Sequence, residues 1–270
     1  ISFVENEHGR FVIVEDCGTV GLTGKNTPSE EINEMMAQGK TLPSTERLSR
    51  FTSMFNSGGN TTGGGLFGAG KSVYSVASST YTYYFDSLRE DGKYVANINK
   101  CGQVMSVALE EDAAKKYIFE STGLQAKKTN GTRVIIEEPK EELVTSIQSG
   151  EIIPLIQESW WLIIQRFDET SCISVNGTPI TVPQGIKDGT YTFELQAPET
   201  YATDYKVKHF GLYIFENGDN IWEGVSYYRM GMKIGEIDLK DIPAKIEGKF
   251  WGYIEVDKLW EDALSDIEDK

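Results

Sequence analysis

A glycine-rich stretch that runs into a lysine and a serine constrains this 270-residue chain more than any other feature. It reads Gly-Gly-Gly-Leu-Phe-Gly-Ala-Gly-Lys-Ser over residues 63–72. Glycine lets a backbone approach a ligand closely, and the N–H groups at a helix start favour negative charge. The stretch therefore predicts phosphate groups beside the backbone and a lysine. Two motifs, built on different folds, fit it.

The first motif is the P-loop, because Gly65–Ser72 fits G-x-x-x-x-G-K-S. A P-loop needs an apolar strand directly before its first glycine and a later strand that ends in an acid. Residues 56–62 are polar or glycine and make no such strand, and the apolar strand that ends in acids, 12–16, lies upstream. The P-loop remains an alternative, and it predicts a parallel sheet with a strand ending at Gly63–Gly65.

The second motif combines the glycines with distant residues. An apolar strand ends at Asp16 and is followed by Gly18 and Gly21, and a Ser-, Thr-, Gly- and Asn-rich segment then leads to Gly68-Ala69-Gly70-Lys71-Ser72. Further on, Gly131-Thr132-Arg133-Val134 begins another strand. This order resembles the GHKL ATPases, which include the ninety-kilodalton heat-shock chaperones, type II topoisomerases, MutL-type repair proteins and sensor histidine kinases.

The resemblance implies an α+β fold of the Bergerat type, with helices on one face of a mixed sheet, that binds ATP with Mg²⁺. The aspartate would accept a hydrogen bond from the exocyclic amine of adenine, and a lid over about residues 23–70 would close on the phosphates. The implied site residues are Asp16, Gly18 and Gly21 at the base, Gly68, Gly70, Lys71 and Ser72 at the phosphates, and Thr132 behind Asp16.

Two departures from the family pattern matter. The segment D-x-G-T-x-G at 16–21 is one residue longer than D-x-G-x-G, and looks like a bacterial branch found among restriction and phage-defence genes. The family's E-x-x-x-N helix, which supplies the general base and holds Mg²⁺, has no acceptable copy, so no metal ligand is expected in this chain. Its place would be before Ile1, and we expect the chain to be a piece of a longer protein. The alternative is a GHKL-fold scaffold that does not hydrolyse ATP.

The second half resembles the transducer of this group, a ribosomal-protein-like α+β domain, over residues 139–270. A helical pattern at 140–167 with a break near Gly150–Pro154 and an Asn176-Gly177 hairpin support this, and Glu138-Pro139 marks the expected boundary. Strands are expected at 191–195, 206–215, 224–228 and 250–256, followed by a helix at 259–267. Transducers supply a cation to the γ-phosphate. Arg229 is the first candidate for that role and Lys208 the second.

The composition limits the classes of binding partner that are expected. The net charge of −15 argues against general affinity for nucleic acid or anionic membranes, and no apolar run is long enough to span a bilayer. Three distant cysteines make a disulfide framework or a zinc site improbable, so a cytoplasmic location is expected. The expected partners are ATP and either a second copy of the chain or further domains of a larger protein.

Overall fold

The computed structural model describes residues 1–40, 42–53, 70–104, 107–166, 173–182, 207–214, 222, 224–229, 231–237 and 250–256. The chain divides into two compact units. The first comprises Ile1–Glu151 and Val175–Thr178, and the second comprises Ile152–Ser174 and Pro179–Lys270. The division thus falls after Glu151, whereas the sequence predicts it after Glu138. The helix at 141–149 lies in the first unit because it packs on the first strand.

The first unit is built on one sheet. Its strands are β1 (Ser2–Asn6), β2 (Gly9–Glu15), β3 (Thr82–Leu88), β4 (Tyr94–Lys100), β5 (Gln103–Val104), β6 (Leu109–Glu110) and β7 (Gly131–Glu137). Its helices are α1 (Ser29–Ala37), α2 (Arg47–Thr52), α3 (Ser72–Ala77), α4 (Glu111–Thr122) and α5 (Glu141–Ser149). The strand order is β1-β2-β7-β3-β4-β5, with β6 on β4, and each described strand pair in this sheet is antiparallel.

The α+β class is confirmed. The sequence predicts helices on one face of a mixed sheet, whereas the described strand pairs are antiparallel and described helices lie on both faces. Tyr84 pairs with Ile135, and both pack with Ile118 of α4. The next residue, Phe85, meets Phe51 of α2 with ring centroids 4.9 Å apart. Because successive side chains of a strand point to opposite faces, α4 and α2 lie on opposite sides of the sheet.

Helix α4 is absent from the sequence-based predictions, although its signals are present. Glu111 and Asp112 place negative charge in the first turn, and Gly123 ends the helix with a left-handed φ of 70°. Ala114, Ile118 and Thr122 form a buried stripe at intervals of four residues. This spacing puts them on one helix face, which covers the sheet.

The helical region after β7 breaks where the sequence predicts it. Gly150 adopts a left-handed φ of 83° and ends α5, and α6 (Ile152–Arg166) begins two residues later. Pro154 lies in the first turn of α6, where a missing N–H costs no helical hydrogen bond. The Asn176-Gly177 turn also forms as predicted, between β8 (Ser174–Val175) and β9 (Thr178–Pro179).

The second unit packs α6 with a mixed four-stranded sheet of order β10-β13-β11-β12. The strands are β10 (Val207–Ile214), β11 (Gly224–Arg229), β12 (Met232–Ile237) and β13 (Phe250–Val256), and of these only β12 is not predicted from sequence. Trp161 of α6 is fully buried against Trp251 and Tyr228. The predicted strand at 191–195 and the predicted helix at 259–267 lie outside the described residues.

Candidate functional site

A cavity of about 460 Å³ opens in the first unit, between the ends of β2 and β7 and the helices α2 and α3. This volume lies within the range of small-molecule sites in proteins. The lining residues are Val14, Glu15, Asp16, Thr19, Val20, Gly21, Leu22, Arg47, Phe51, Tyr74, Thr132 and Val134. The cavity therefore brings together the predicted residues Asp16, Gly21 and Thr132, which are far apart in sequence.

Asp16 is held in one orientation by residues around it. Its backbone N–H donates to the carbonyl of Thr132 at 2.9 Å. Its Oδ1 accepts from the Thr132 N–H at 3.1 Å and from the Thr19 hydroxyl. The other oxygen, Oδ2, accepts no hydrogen bond from any residue in the described part of the chain. The carboxylate thus retains acceptor capacity at the cavity.

Gly131 makes the close approach of β7 to Asp16 feasible. Its φ of 136° is rare for residues with a side chain, and a Cβ there would lie 2.3 Å from the Asp16 carbonyl oxygen and 2.5 Å from Oδ1. Such distances are far below van der Waals contact. A glycine before Thr132 is therefore a steric requirement of the Asp16 position.

Ser87 of β3 ties the loop after Asp16 to the sheet. Its hydroxyl donates to the Gly131 carbonyl at 2.9 Å and accepts from the Leu22 N–H at 2.9 Å. Gly21 passes directly over it, with a φ of 69° and a virtual Cβ only 2.7 Å from the Ser87 oxygen. Sequence reasoning missed Ser87, because only the three-dimensional pairing of β3 with β7 brings it to Thr132.

Of the residues predicted at the phosphates, Gly70, Lys71 and Ser72 are described, and none of them is among the residues that line the cavity. Gly68 falls outside the described residues. Lys71 is not among the residues that line the cavity; its ammonium donates to the carbonyl of Arg50 at 2.5 Å and to that of Ser53. Burial, and then the charge of Arg50, lower the pKa of Lys71 to about 8. Contacts of Gly70, Lys71 and Ser72 with phosphate remain predictions.

Gly18 is exposed and its backbone N–H donates to the Asn130 carbonyl at 2.8 Å. It has a φ of 75°, and a Cβ on it would meet nothing within 4 Å. It is not among the cavity-lining residues, unlike Gly21. Its predicted role beside the base therefore remains a prediction.

Three cavity residues on the helices were not singled out from sequence. Arg47 and Phe51 are four positions apart on α2, which places them on one helix face, and Tyr74 lies on α3. Arg47 is exposed, donates to the Thr23 hydroxyl at 3.0 Å and pairs with no carboxylate in the described ranges. Burial, and then the charge of Asp16, raise the pKa of Tyr74. The i,i+4 spacing of Arg47 and Phe51 was the available sequence signal.

The basic residues near β7 have internal partners. Lys127 is buried and its ammonium lies 3.1 Å from Oε2 of Glu15. Arg133 is buried too and donates to both carboxylate oxygens of Asp86, from Nε at 2.9 Å and Nη2 at 2.5 Å. These contacts fix charges inside the unit, on the far side of the sheet from α2.

The second unit contains both predicted γ-phosphate cations. Arg229 is buried at the end of β11. Lys208 lies in β10, and its side chain is outside the described part of the structure. Their contact with a nucleotide stays a prediction.

Within the described residues, no group of three or more His, Cys, Asp or Glu side chains could hold a metal ion. Across the same residues, no helix has the length and apolarity needed to cross a bilayer.

The sheet around α3 argues against the P-loop alternative. That alternative predicts a parallel sheet, yet α3 packs against β3 and β7, which pair antiparallel. The strand it predicts at Gly63–Gly65 lies outside the described residues.

Comparisons with known proteins find similarity among solved structures. No protein-family model matches the chain, and no curated protein matches it. Among solved structures 115 chains match, including the ATPase region of Saccharomyces cerevisiae topoisomerase II. That structure shares 10% sequence identity with a TM-score of 0.47, over 94% of this chain and 66% of that chain.

Proposed function

We propose that the first unit is an ATP-binding module of the GHKL type, with adenine recognised by Asp16. The observation that carries the proposal is the Asp16 carboxylate at a cavity, with Oδ1 held by two donors and Oδ2 without a donor among the described residues. A carboxylate that is fixed before the ligand arrives loses little conformational entropy on binding.

The chemistry of Asp16 favours adenine over guanine. Adenine carries an amine at the position where guanine carries a carbonyl oxygen. An ionised carboxylate accepts hydrogen bonds and cannot donate one, so it pairs with the amine and repels the carbonyl. Thr132 supports this preference for adenine, because its N–H binds Oδ1 and Oδ2 remains to accept from the base.

The resemblance to GHKL ATPases implies a wider role for the bound nucleotide. The phosphates would extend toward the segment that includes Gly68 and Gly70, and Mg²⁺ would be held largely by the phosphates. Closure of that segment would drive dimerisation or a domain motion in a larger protein, with a link to DNA-related defence as the biological setting. ATP hydrolysis would require an E-x-x-x-N motif ahead of Asp16.

Calorimetric titration of the 270-residue chain with ATP and GTP tests the proposal. Wild-type protein should prefer ATP, and Asp16→Asn should abolish this preference, since an amide can donate to guanine as well as accept from adenine. Asp112→Asn is the matched control: this exposed carboxylate lies on α4, and its removal should leave both affinities unchanged. Unchanged ATP preference in Asp16→Asn, or no nucleotide binding by wild-type protein, would contradict the proposal.

A further inference from the structure

The short helix α2 connects the cavity to the lysine of the glycine motif. Arg47 at its start and Phe51 near its end line the cavity, while the carbonyls of Arg50 and Ser53 accept from Lys71. Lys71 and the cavity therefore contact the same helix at different points.

Lys71 occupies the position of a helix C-terminal cap. The last carbonyls of a helix have no partner inside it, and a lysine ammonium satisfies them and complements their partial negative charge. With two carbonyls bound, the Lys71 ammonium has one donor left. Its contacts anchor α2 rather than reach into the cavity.

Phe51 provides a second contact that holds α2 in place. Its ring packs on Phe85 of the sheet, so α2 is fixed to β3 at this point. A six-residue helix is too short to be stable alone and depends on such contacts. Lys71 and Phe85 together determine where α2 presents Arg47.

Opposite charges lie on the two sides of the cavity. Its sheet side carries the carboxylate of Asp16, and its helix side carries the guanidinium of Arg47. Arg47 pairs with no carboxylate among the described residues. A ligand that donates hydrogen bonds at one end and is anionic at the other fits this arrangement, because guanidinium binds phosphate with paired donors.

We propose that Arg47 is the phosphate-binding cation of this site and that Lys71 is a positioning residue that acts on it through α2. This inference rests on the proposed nucleotide function. The glycine motif alone would instead assign the phosphate contact to Lys71.

A series of ligands with decreasing charge separates these roles: ATP, ADP, AMP and adenosine, each competing against a fluorescent ADP analogue. Arg47→Met should weaken ATP by about tenfold and adenosine by less than about twofold, since only phosphate contacts are lost. Arg47→Lys should recover part of the ATP affinity. Lys116→Met, which removes an exposed cation on α4, should leave the whole series unchanged.

Lys71→Met should weaken adenosine severalfold, because displacement of α2 also moves Phe51. A lysine that touched phosphate would leave adenosine unaffected. In the Arg47→Met background, Lys71→Met should leave the ratio of ATP to adenosine affinity unchanged, as expected if Lys71 acts on phosphate only through Arg47.

Hydrogen exchange without nucleotide provides a second readout. Lys71→Met should accelerate exchange in residues 47–53 and leave β2 and β7 protected, and Lys71→Arg should restore the protection.

An unaffected adenosine affinity or unchanged exchange in Lys71→Met would overturn the anchoring role. A uniform loss across the series in Arg47→Met would overturn the phosphate role. If wild-type protein bound none of these ligands, the proposed nucleotide function and the phosphate role of Arg47 would both be overturned. Hydrogen exchange would still test whether Lys71 anchors α2.

Discussion

The backbone N–H of Thr132 donates a 3.1 Å hydrogen bond to Oδ1 of Asp16, although the two residues are 116 positions apart in the chain. The reciprocal bond from the Asp16 N–H to the Thr132 carbonyl continues the pairing of β2 with β7 one step beyond β2. The site carboxylate is therefore part of the sheet ladder. Its orientation depends on the register of two strands and on the loop that follows Asp16.

That loop provides a test with an internal control. Gly18 and Gly21 have similar left-handed φ values of 75° and 69°, but only Gly21 lies against other atoms, with a virtual Cβ 2.7 Å from the Ser87 oxygen and 2.8 Å from the Leu88 carbonyl oxygen. Alanine at either position costs about 1 kcal/mol of backbone strain. Gly21→Ala must in addition displace backbone of β3, which raises its total cost to about 3 kcal/mol.

Urea unfolding of the two variants measures the difference. Gly18→Ala should unfold near the wild-type midpoint, and Gly21→Ala should unfold at clearly lower urea. Nucleotide affinity should fall in Gly21→Ala as well, because Ser87 also contacts the Gly131 carbonyl. Equal stability of the two variants would show that the loop does not pack on Ser87 as described.

The buried pair of Asp86 and Arg133 yields a second prediction. Asp86 is fully buried and Arg133 nearly so, and two hydrogen bonds join them. Asp86→Asn removes the negative charge and leaves the guanidinium buried without its counter-charge, which costs about 3–5 kcal/mol. Asp112→Asn breaks an exposed pair with Lys115 and should cost no more than about 1 kcal/mol.

Denaturant unfolding of both asparagine variants checks this contrast. The m-value should stay at the wild-type value in each, so that a shift in midpoint reports stability alone. A small effect of Asp86→Asn would mean that water reaches the pair and screens it.

The sequence is sufficient to predict much of the local structure. The break at Gly150 and the Asn176-Gly177 turn follow from glycine positions and turn residues. Asp16, Gly21 and Thr132 were also predicted to share one site, and the cavity contains all three. These features depend on residues that are close in sequence or on a resemblance between short motifs.

The two-sided cover of the sheet was open to prediction and was missed. Strand β3 reads Thr-Tyr-Tyr-Phe-Asp-Ser-Leu and is buried at six successive positions. A strand with one face in water alternates apolar and polar residues, whereas a continuous aromatic run indicates cover on both faces. The polar residues Asp86 and Ser87 indicate an exposed strand end, which conflicts with this pattern. They are buried because Arg133 and Gly131 of β7 bind them.

The position of Lys71 could not be predicted from its motif. A lysine after glycines is compatible with phosphate contact and with capping of a neighbouring helix, and the choice depends on where α2 ends. That position is set by packing of Phe51 on Phe85, which is a contact between distant parts of the chain. Local pattern carries no information about it.

A third prediction concerns alkaline pH and Tyr94. Its hydroxyl is buried and donates to Oδ2 of Asp86. Burial, and then the charge of Asp86, raise the pKa of Tyr94 well above its ordinary value of 10.0. The folded state therefore retains a proton that the unfolded state loses above about pH 10, so stability falls as the pH rises beyond that point.

Tyr94→Phe removes one such proton. The variant should be less stable than wild type at neutral pH, because Asp86 loses a donor, but above pH 10 its stability should decline less steeply, by about 1.4 kcal/mol per pH unit. Part of the alkaline decline should persist, because burial also raises the pKa of Tyr83, to about 12. Tyr81→Phe is the control, since Tyr81 is 52% exposed and should leave the slope unchanged. Urea unfolding across the alkaline range gives the slopes, and parallel curves for Tyr94→Phe and wild type would show that Tyr94 ionises as readily in the folded as in the unfolded chain.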